Sequence, residues 1–222
     1  DAPRGPGRQY GTHEETHGSR CACFGVRMDL VGHRAGQLAI VEVKTGKKIQ
    51  PTVRLQVAAQ VMTQKDSEIG AYALQLGEDG TYKLLDYDVG KNIRSIVLAA
   101  ATCAQWRLRN DPKAKLSDEG AHALYRDDAV RVPGIGTVMK LAGMVDLSGI
   151  PAGILEAARA KGEAVHTCIQ YLVEEDLDAA SIPEHLRGYI AAYWSFCERE
   201  HFTATATEVA AVYDCSRTMG SL

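Results

Sequence analysis

Two acids and a lysine in the first third of the chain have the types and spacing to do chemistry. Asp29 lies in the run FGVRMDLVG, Glu42 and Lys44 lie in QLAIVEVKTG, and Gln56 follows in RLQVAAQ. Residues two apart on a β-strand project to the same side, so Glu42 and Lys44 share a face. Asp29, on a strand paired with theirs, can sit across from Glu42. Two converging carboxylates make a hard oxygen site suited to Mg²⁺ or Mn²⁺. Such an ion can polarise a phosphoryl oxygen and lower the pKa of a bound water, while a lysine steadies charge developing on the phosphate. The expected chemistry is phosphodiester hydrolysis, with Gln56 hydrogen-bonding the nucleophile or a phosphate oxygen.

An acid-x-Lys pair alone fits an exposed ion pair on an edge strand equally well, because so short a pattern recurs by chance. Context lifts it. The apolar run LAIV leads straight into Glu42, and charges that follow such a run are costly to bury without partners or a metal. Lys47, Lys48 and Arg54 come next; they are expected to grip phosphates, with a solvated charged loop as the alternative.

These residues need strands and a helix to hold them. CACFGVRMDLV (21–31) and QLAIVEVKT (37–45) read as two strands joined by a GHRAG turn. Pro51 opens a helix over TVRLQVAAQVMTQ, whose apolar residues recur at helical spacing. IGAYALQLG and TYKLLDYD flank a second hairpin turn, and residues 89–109 form an amphipathic helix. After a linker-like stretch, three helices are expected, then a strand over TATEVAAVYD. The order predicts an α/β fold with a mixed sheet flanked by helices. Residues 1–20 read as a flexible loop or linker, 21–109 as the catalytic hairpin, helix and sheet half, and 110–131 as a second linker. Residues 132–214 then complete the same single domain.

A chain of 222 residues with 45% hydrophobic and 24% charged content is long enough for one well-buried domain. Its formal net charge of −3 gives no global basic field, so any nucleic-acid contact must concentrate positive charge locally. No stretch reaches the roughly 18 apolar residues of a membrane span, and the polar amino terminus is not a secretory signal. The six cysteines are scattered without a C-x-x-C pair and mostly sit in apolar runs. Buried free thiols in a reducing, cytoplasmic setting are expected. A metal site from Cys21, Cys23 and Cys215 is the weaker alternative.

Gly25, Asp29, Glu42, Lys44 and Gln56, in that order, resemble the active-site hairpin and helix of the PD-(D/E)XK nucleases, specifically RecB-type and phage-type exonucleases. Many RecB-type members carry a tyrosine four residues after the glutamine; this chain has Gln60 there. The resemblance continues in the last third, out of order. Gly162 and His166 in KGEAVHTCIQ, the helix over IPEHLRGYIAAYWSFCER, and Glu208 in TATEVAAVYD look like segments that normally precede the hairpin. The family pattern therefore implies a circularly permuted, restriction-endonuclease-like core, with residues 110–131 bridging the usual end to the usual beginning. It implies Asp29 and Glu42 as metal ligands, His166 as a further ligand or phosphate contact, and Glu208 and Gln60 in support. It also implies DNA as partner, and exonuclease action in phage or bacterial recombination and repair. Permutation requires the strand 205–213 to pair beside 22–31, with His166 in reach of the metal.

Two other classes compete. A nucleic-acid-binding or assembly protein that keeps the fold without turnover has no use for Asp29, Glu42 and Lys44 together. HEETH supplies His13, Glu14 and His17 in the H-E-x-x-H pattern of zinc metalloproteases, but glycines bound it and it lacks an apolar face to dock a helix. PGIGT at 133–137 lacks the Lys-Ser/Thr of a phosphate loop and reads as a turn into a helix. Tyr189, Tyr193 and Trp194 read as core packing; Tyr193 and Trp194 cannot share a helix face, so one is expected at the surface.

Overall fold

The computed structural model describes residues 23–65, 68–116, 123–126 and 129–214. Strand β1 (Phe24–Arg34) turns through Ala35 and Gly36 into β2 (Gln37–Lys44). Helix α1 (Val53–Met62) crosses to β3 (Gly70–Leu76), which pairs parallel to β2, and β4 (Tyr82–Asp86) returns antiparallel along β3. Helix α2 (Lys91–Asn110) follows, then a short antiparallel pair, β5 (Leu124–Tyr125) and β6 (Arg131–Val132). Helices α3 (Ile135–Leu141), α4 (Ala152–Val173) and α5 (Glu184–Arg199) precede β7 (Phe202–Tyr213). The main sheet runs β4-β3-β2-β1-β7, a five-stranded mixed sheet of the α/β class expected.

Burial explains the layers. Along α1, Val53, Val57, Gln60 and Val61 form one buried stripe at helical spacing. Its small Ala58 and Ala59 pack with Ala100, Ala101 and Ala104 of α2, so the two backbones lie close. On the other face, Val165 and Ile169 of α4 and Leu186, Tyr189, Tyr193 and Phe196 of α5 pack against Val41, Val43 and Leu74. Each such side chain, fully buried, contributes about 1.5–3 kcal/mol relative to exposure. Tyr193 is buried and Trp194 exposed, the split that their adjacency demands.

Strand β7 pairs antiparallel with β1 over nearly its whole length, from Phe24 opposite Tyr213 to Arg34 opposite Phe202. The far end of the chain thus lies against Asp29's strand. The expected linker 110–131 is partly structured: α2 extends to Asn110, and Leu124 packs against Gly25, where a Cβ would collide with it. Two-residue strands carry no alternation to read, so the sequence pattern holds no sign of β5 and β6. Residues 1–20, with His13, Glu14 and His17, lie outside the described residues, as do Cys21 and Cys215. Cys23, Cys103, Cys168 and Cys197 are free thiols. No described helix is long and apolar enough to cross a membrane.

Candidate metal centre

The site begins where β1 and β2 part. Their ladder runs from Arg34 and Gln37 up to Leu30 and Val41 and stops there. Asp29 takes over: its Oδ2 accepts the Val43 N–H at 2.7 Å, a role a backbone carbonyl fills elsewhere in the ladder. One carboxylate oxygen is thereby fixed. The other, Oδ1, lies 3.6 Å from His166 Nδ1 on α4.

On the opposite side of β1, Met28 faces Val209 and Leu30 faces Thr207, which leaves Asp29 opposite Glu208. Glu208 has φ +51°, a left-handed conformation inside a strand. For a residue with a Cβ this costs about 1–3 kcal/mol, and such strain persists where a side chain must be aimed. Here it brings Glu208 Oε1 to 3.3 Å from His166 Nδ1. Arg27 steadies the kink, its Nη1 donating to the Glu208 carbonyl at 3.5 Å and its Nε lying 3.8 Å from Oε2. His166 follows buried Val165 on α4, so packing of that helix on the sheet carries the imidazole to the gap.

Asp29, His166 and Glu208 each offer one ligand atom, and these atoms lie within 4.8 Å of one another. Glu42 is buried beside them, 5% exposed. Its Oε1 accepts from Lys44 Nζ at 2.5 Å and its Oε2 from Gln60 Nε2 at 2.5 Å. Gln60 Nε2 also donates to the Arg27 carbonyl at 2.9 Å, tying α1 to both strands. Gln60 Oε1 is buried with no hydrogen-bond partner among the described residues.

Charges in this gap are in conflict. Burial first, and the nearby Glu42 charge second, push the Asp29 carboxyl up to about 7 against the pull of His166 and Lys44. Burial disfavours the His166 cation, yet Glu208 and then Asp29 outweigh it and hold the imidazole above its ordinary value. Lys44 is likewise raised: burial opposes its charge, but Glu42 and Asp29 more than compensate. A buried carboxyl pushed up in this way beside a second acid is what a bound divalent cation would relieve. A donor set of two carboxylates and one imidazole, with Glu42 behind, fits such an ion.

No protein-family model, curated protein or solved structure matches the chain.

Of the residues singled out by sequence, Asp29, Glu42, Lys44, His166 and Glu208 come together. Gln56 does not join them. It is half-buried one turn before Gln60 and makes no hydrogen bond to Asp29, Glu42, Lys44 or His166; Gln60 takes the place at Glu42 instead. The phase of α1 over the sheet sets that choice. Arg54 is also turned elsewhere, its Nη2 and Nε donating to the Asp88 carbonyl at 2.6 and 3.2 Å. Lys47 and Lys48 are exposed just beyond Lys44. Arg27 was missed, although as a cation two residues before Asp29 it lies on the same strand side.

Proposed function

We propose that this protein is a divalent-metal-dependent nuclease that hydrolyses phosphodiester bonds of DNA, acting from ends as the resembled exonucleases do. The observation that carries the reading is the convergence of Asp29, His166 and Glu208 beside the Glu42–Lys44 pair. The order β1-β2-α1-β3, with the hairpin acids where β1 and β2 splay, supports a permuted restriction-endonuclease-like core. The wider role in phage or bacterial DNA recombination and repair rests on the same resemblance.

Asp29, His166 and Glu208, with Glu42 behind, would hold Mg²⁺ or Mn²⁺. The ion, when bound, supplies polarisation of a phosphoryl oxygen and acidification of water. The chain's own residues do the rest. Lys44 keeps its proton, and its side chain is 29% exposed at the lip of the gap, so its charge meets an incoming phosphate. Glu42, gripped from both sides by Lys44 and Gln60, fixes where that ammonium stands. Asp29's bond to Val43 holds the strands apart and preserves the opening. A water oxygen would then attack phosphorus, the P–O ester bond would break with its electron pair going to the leaving sugar oxygen, and that oxygen would take up a proton as the water gives one up.

Linear and circular duplex DNA, incubated with Mg²⁺, Mn²⁺ or Zn²⁺, test this directly. Degradation of linear DNA in Mg²⁺ or Mn²⁺, abolished by chelation and by Lys44→Ala, is expected. Digestion that persists in both Asp29→Asn and Lys44→Ala would remove the assignment. Binding without hydrolysis by the wild type would favour the catalytically silent alternative.

A further inference from the structure

Beyond Lys44 the protein surface opens into a second cavity. The chain leaving β2, Thr45 to Lys47, forms one wall, and Gln75 at the end of β3 with the β3–β4 turn forms another. Lys161 of α4 and Tyr189 of α5 close the third side of this cleft of about 410 Å³. That volume is in the range of small-ligand sites.

The walls are fixed. Gly188 lets α5 lie flush on the β3–β4 turn, since a Cβ there would overlap the Glu78 carbonyl oxygen. Gln75 Nε2 donates to the Gly46 carbonyl at 2.6 Å, pinning the loop after β2. Lys161 Nζ lies 5.3 Å from the centre of the Tyr189 ring and donates to its hydroxyl at 3.1 Å, which holds the ammonium at the cleft's edge. Gly162 rests against Thr45 with room for contact. Helix α4 therefore borders both sites, with Lys161 in the cleft and His166 in the metal centre. They lie five positions apart on α4, a rise of about 7.5 Å along its axis.

The lining is mixed in charge. Lys47, Lys83 and Lys161 line the cleft together with Glu78 and Asp79 of the β3–β4 turn, and Glu78 Oε2 accepts from the Tyr189 hydroxyl at 3.4 Å. A ligand with one phosphate and a polar ring matches this mixed lining. Its phosphate would sit between the Lys47 and Lys161 ammonium groups, and its ring would lie near the Gln75 amide and the Glu78 acceptors.

We propose that this cleft holds the nucleotide next to the scissile phosphate of a single DNA strand, with Lys47 and Lys161 clamping its phosphate. The inference rests on the nuclease reading for the meaning of "scissile", but its binding test does not. Fluorescence anisotropy of a labelled single-stranded 12-nucleotide DNA with the full chain, in Ca²⁺, reads the clamp. Lys47→Met and Lys161→Met are each expected to weaken binding about 5- to 20-fold at low salt. Each should also lower the slope of log affinity against log salt by about 0.7, one phosphate contact on a single strand. Lys161→Met keeps its stem over Tyr189, so an unchanged melting temperature separates charge loss from damage to packing, and Lys161→Arg should restore most of the affinity. Lys115→Met, an exposed lysine elsewhere, should change nothing. Wild-type affinity and slope in both Met variants overturn the cleft assignment, as does failure of the wild type to bind. A wild type that binds through the clamp yet cuts no DNA removes the nuclease reading alone. One that cuts DNA, with KM and salt dependence unchanged in both variants, removes the clamp alone.

Discussion

At the middle of β1, Asp29 meets Glu208, His166 and the Glu42 charge; five residues on, Arg34 meets Glu200 and Tyr72. Both places bring β1 acids or bases to partners from the last third of the chain. At the strand's end the charges are settled. Arg34 Nη2 lies 2.5 Å from Glu200 Oε2, its guanidinium covers the Tyr72 ring at 4.9 Å, and Tyr82 donates to the other Glu200 oxygen at 3.1 Å. The Arg34 hydrogen bond, with help from Tyr82, holds the Glu200 carboxyl below its ordinary range. At the middle, one carboxyl is driven the opposite way, up to about 7. A fold able to satisfy a carboxylate so fully in one place has left another in conflict, with a strained residue facing it. Charge conflict of this kind is what the proposed metal ion would settle.

The largest difference between the two places should be in turnover. Asp29→Asn and Lys44→Ala are each expected to lower DNA hydrolysis at least about 10³-fold, the scale on which charge stabilisation in such centres acts. Glu200→Gln should leave the rate within about two-fold. Single-turnover rates at saturating Mg²⁺ measure both, and comparable losses at the two ends of β1 would erase the distinction.

Stability should move with opposite signs. A carboxyl whose folded pKa is raised costs stability above its unfolded value, and the cost is complete above the folded one. Metal-free protein should therefore lose stability as pH rises from about 4 to about 7 through Asp29. At pH 8, Asp29→Asn is expected to stabilise the metal-free fold by about 1–2 kcal/mol, the usual return for relaxing a strained site. Glu200→Gln should destabilise by about 1 kcal/mol, since the pair is partly exposed. Urea denaturation at pH 8 in chelator reads both values; a loss for Asp29→Asn would contradict the conflict inferred at the centre.

How much of this was legible beforehand depended on what each residue needed. Asp29, Glu42 and Lys44 are near in sequence, and strand alternation with a hairpin sufficed to join them. His166 and Glu208 could be brought in only through an ordered family pattern, because nothing local says which strand β7 will flank. Helical spacing gives a periodicity without an absolute phase over the sheet, so it does not tell Gln56 from Gln60 as the residue that reaches Glu42. The left-handed turn at Glu208 has no signal in TATEVAAVYD, which reads as plain strand. Arg34 and Glu200 lie too far apart in sequence for either to suggest the other.

Smaller effects sharpen the contrast further. Below pH of about 4.3, the ordinary glutamate value, the contribution of Glu200 should fade as its lowered folded pKa is crossed; wild type and Glu200→Gln should then converge in stability. Glu208→Gly, which releases the left-handed strain, should change stability by less than about 1 kcal/mol. It should nonetheless weaken Mn²⁺ binding at least about ten-fold, since loss of a ligand costs no less than loss of an outer-shell partner. Equal Mn²⁺ affinity with and without the Glu208 carboxylate would leave the kink without a purpose at the centre.

The most direct measurement is calorimetric titration of Mn²⁺ into the metal-free chain at pH 7.5, beside Asp29→Asn. One ion per chain, bound with release of protons from the crowded acid–imidazole cluster and lost in the variant, is the expected result. Equal binding by both proteins, or none by the wild type at millimolar Mn²⁺, would contradict the account.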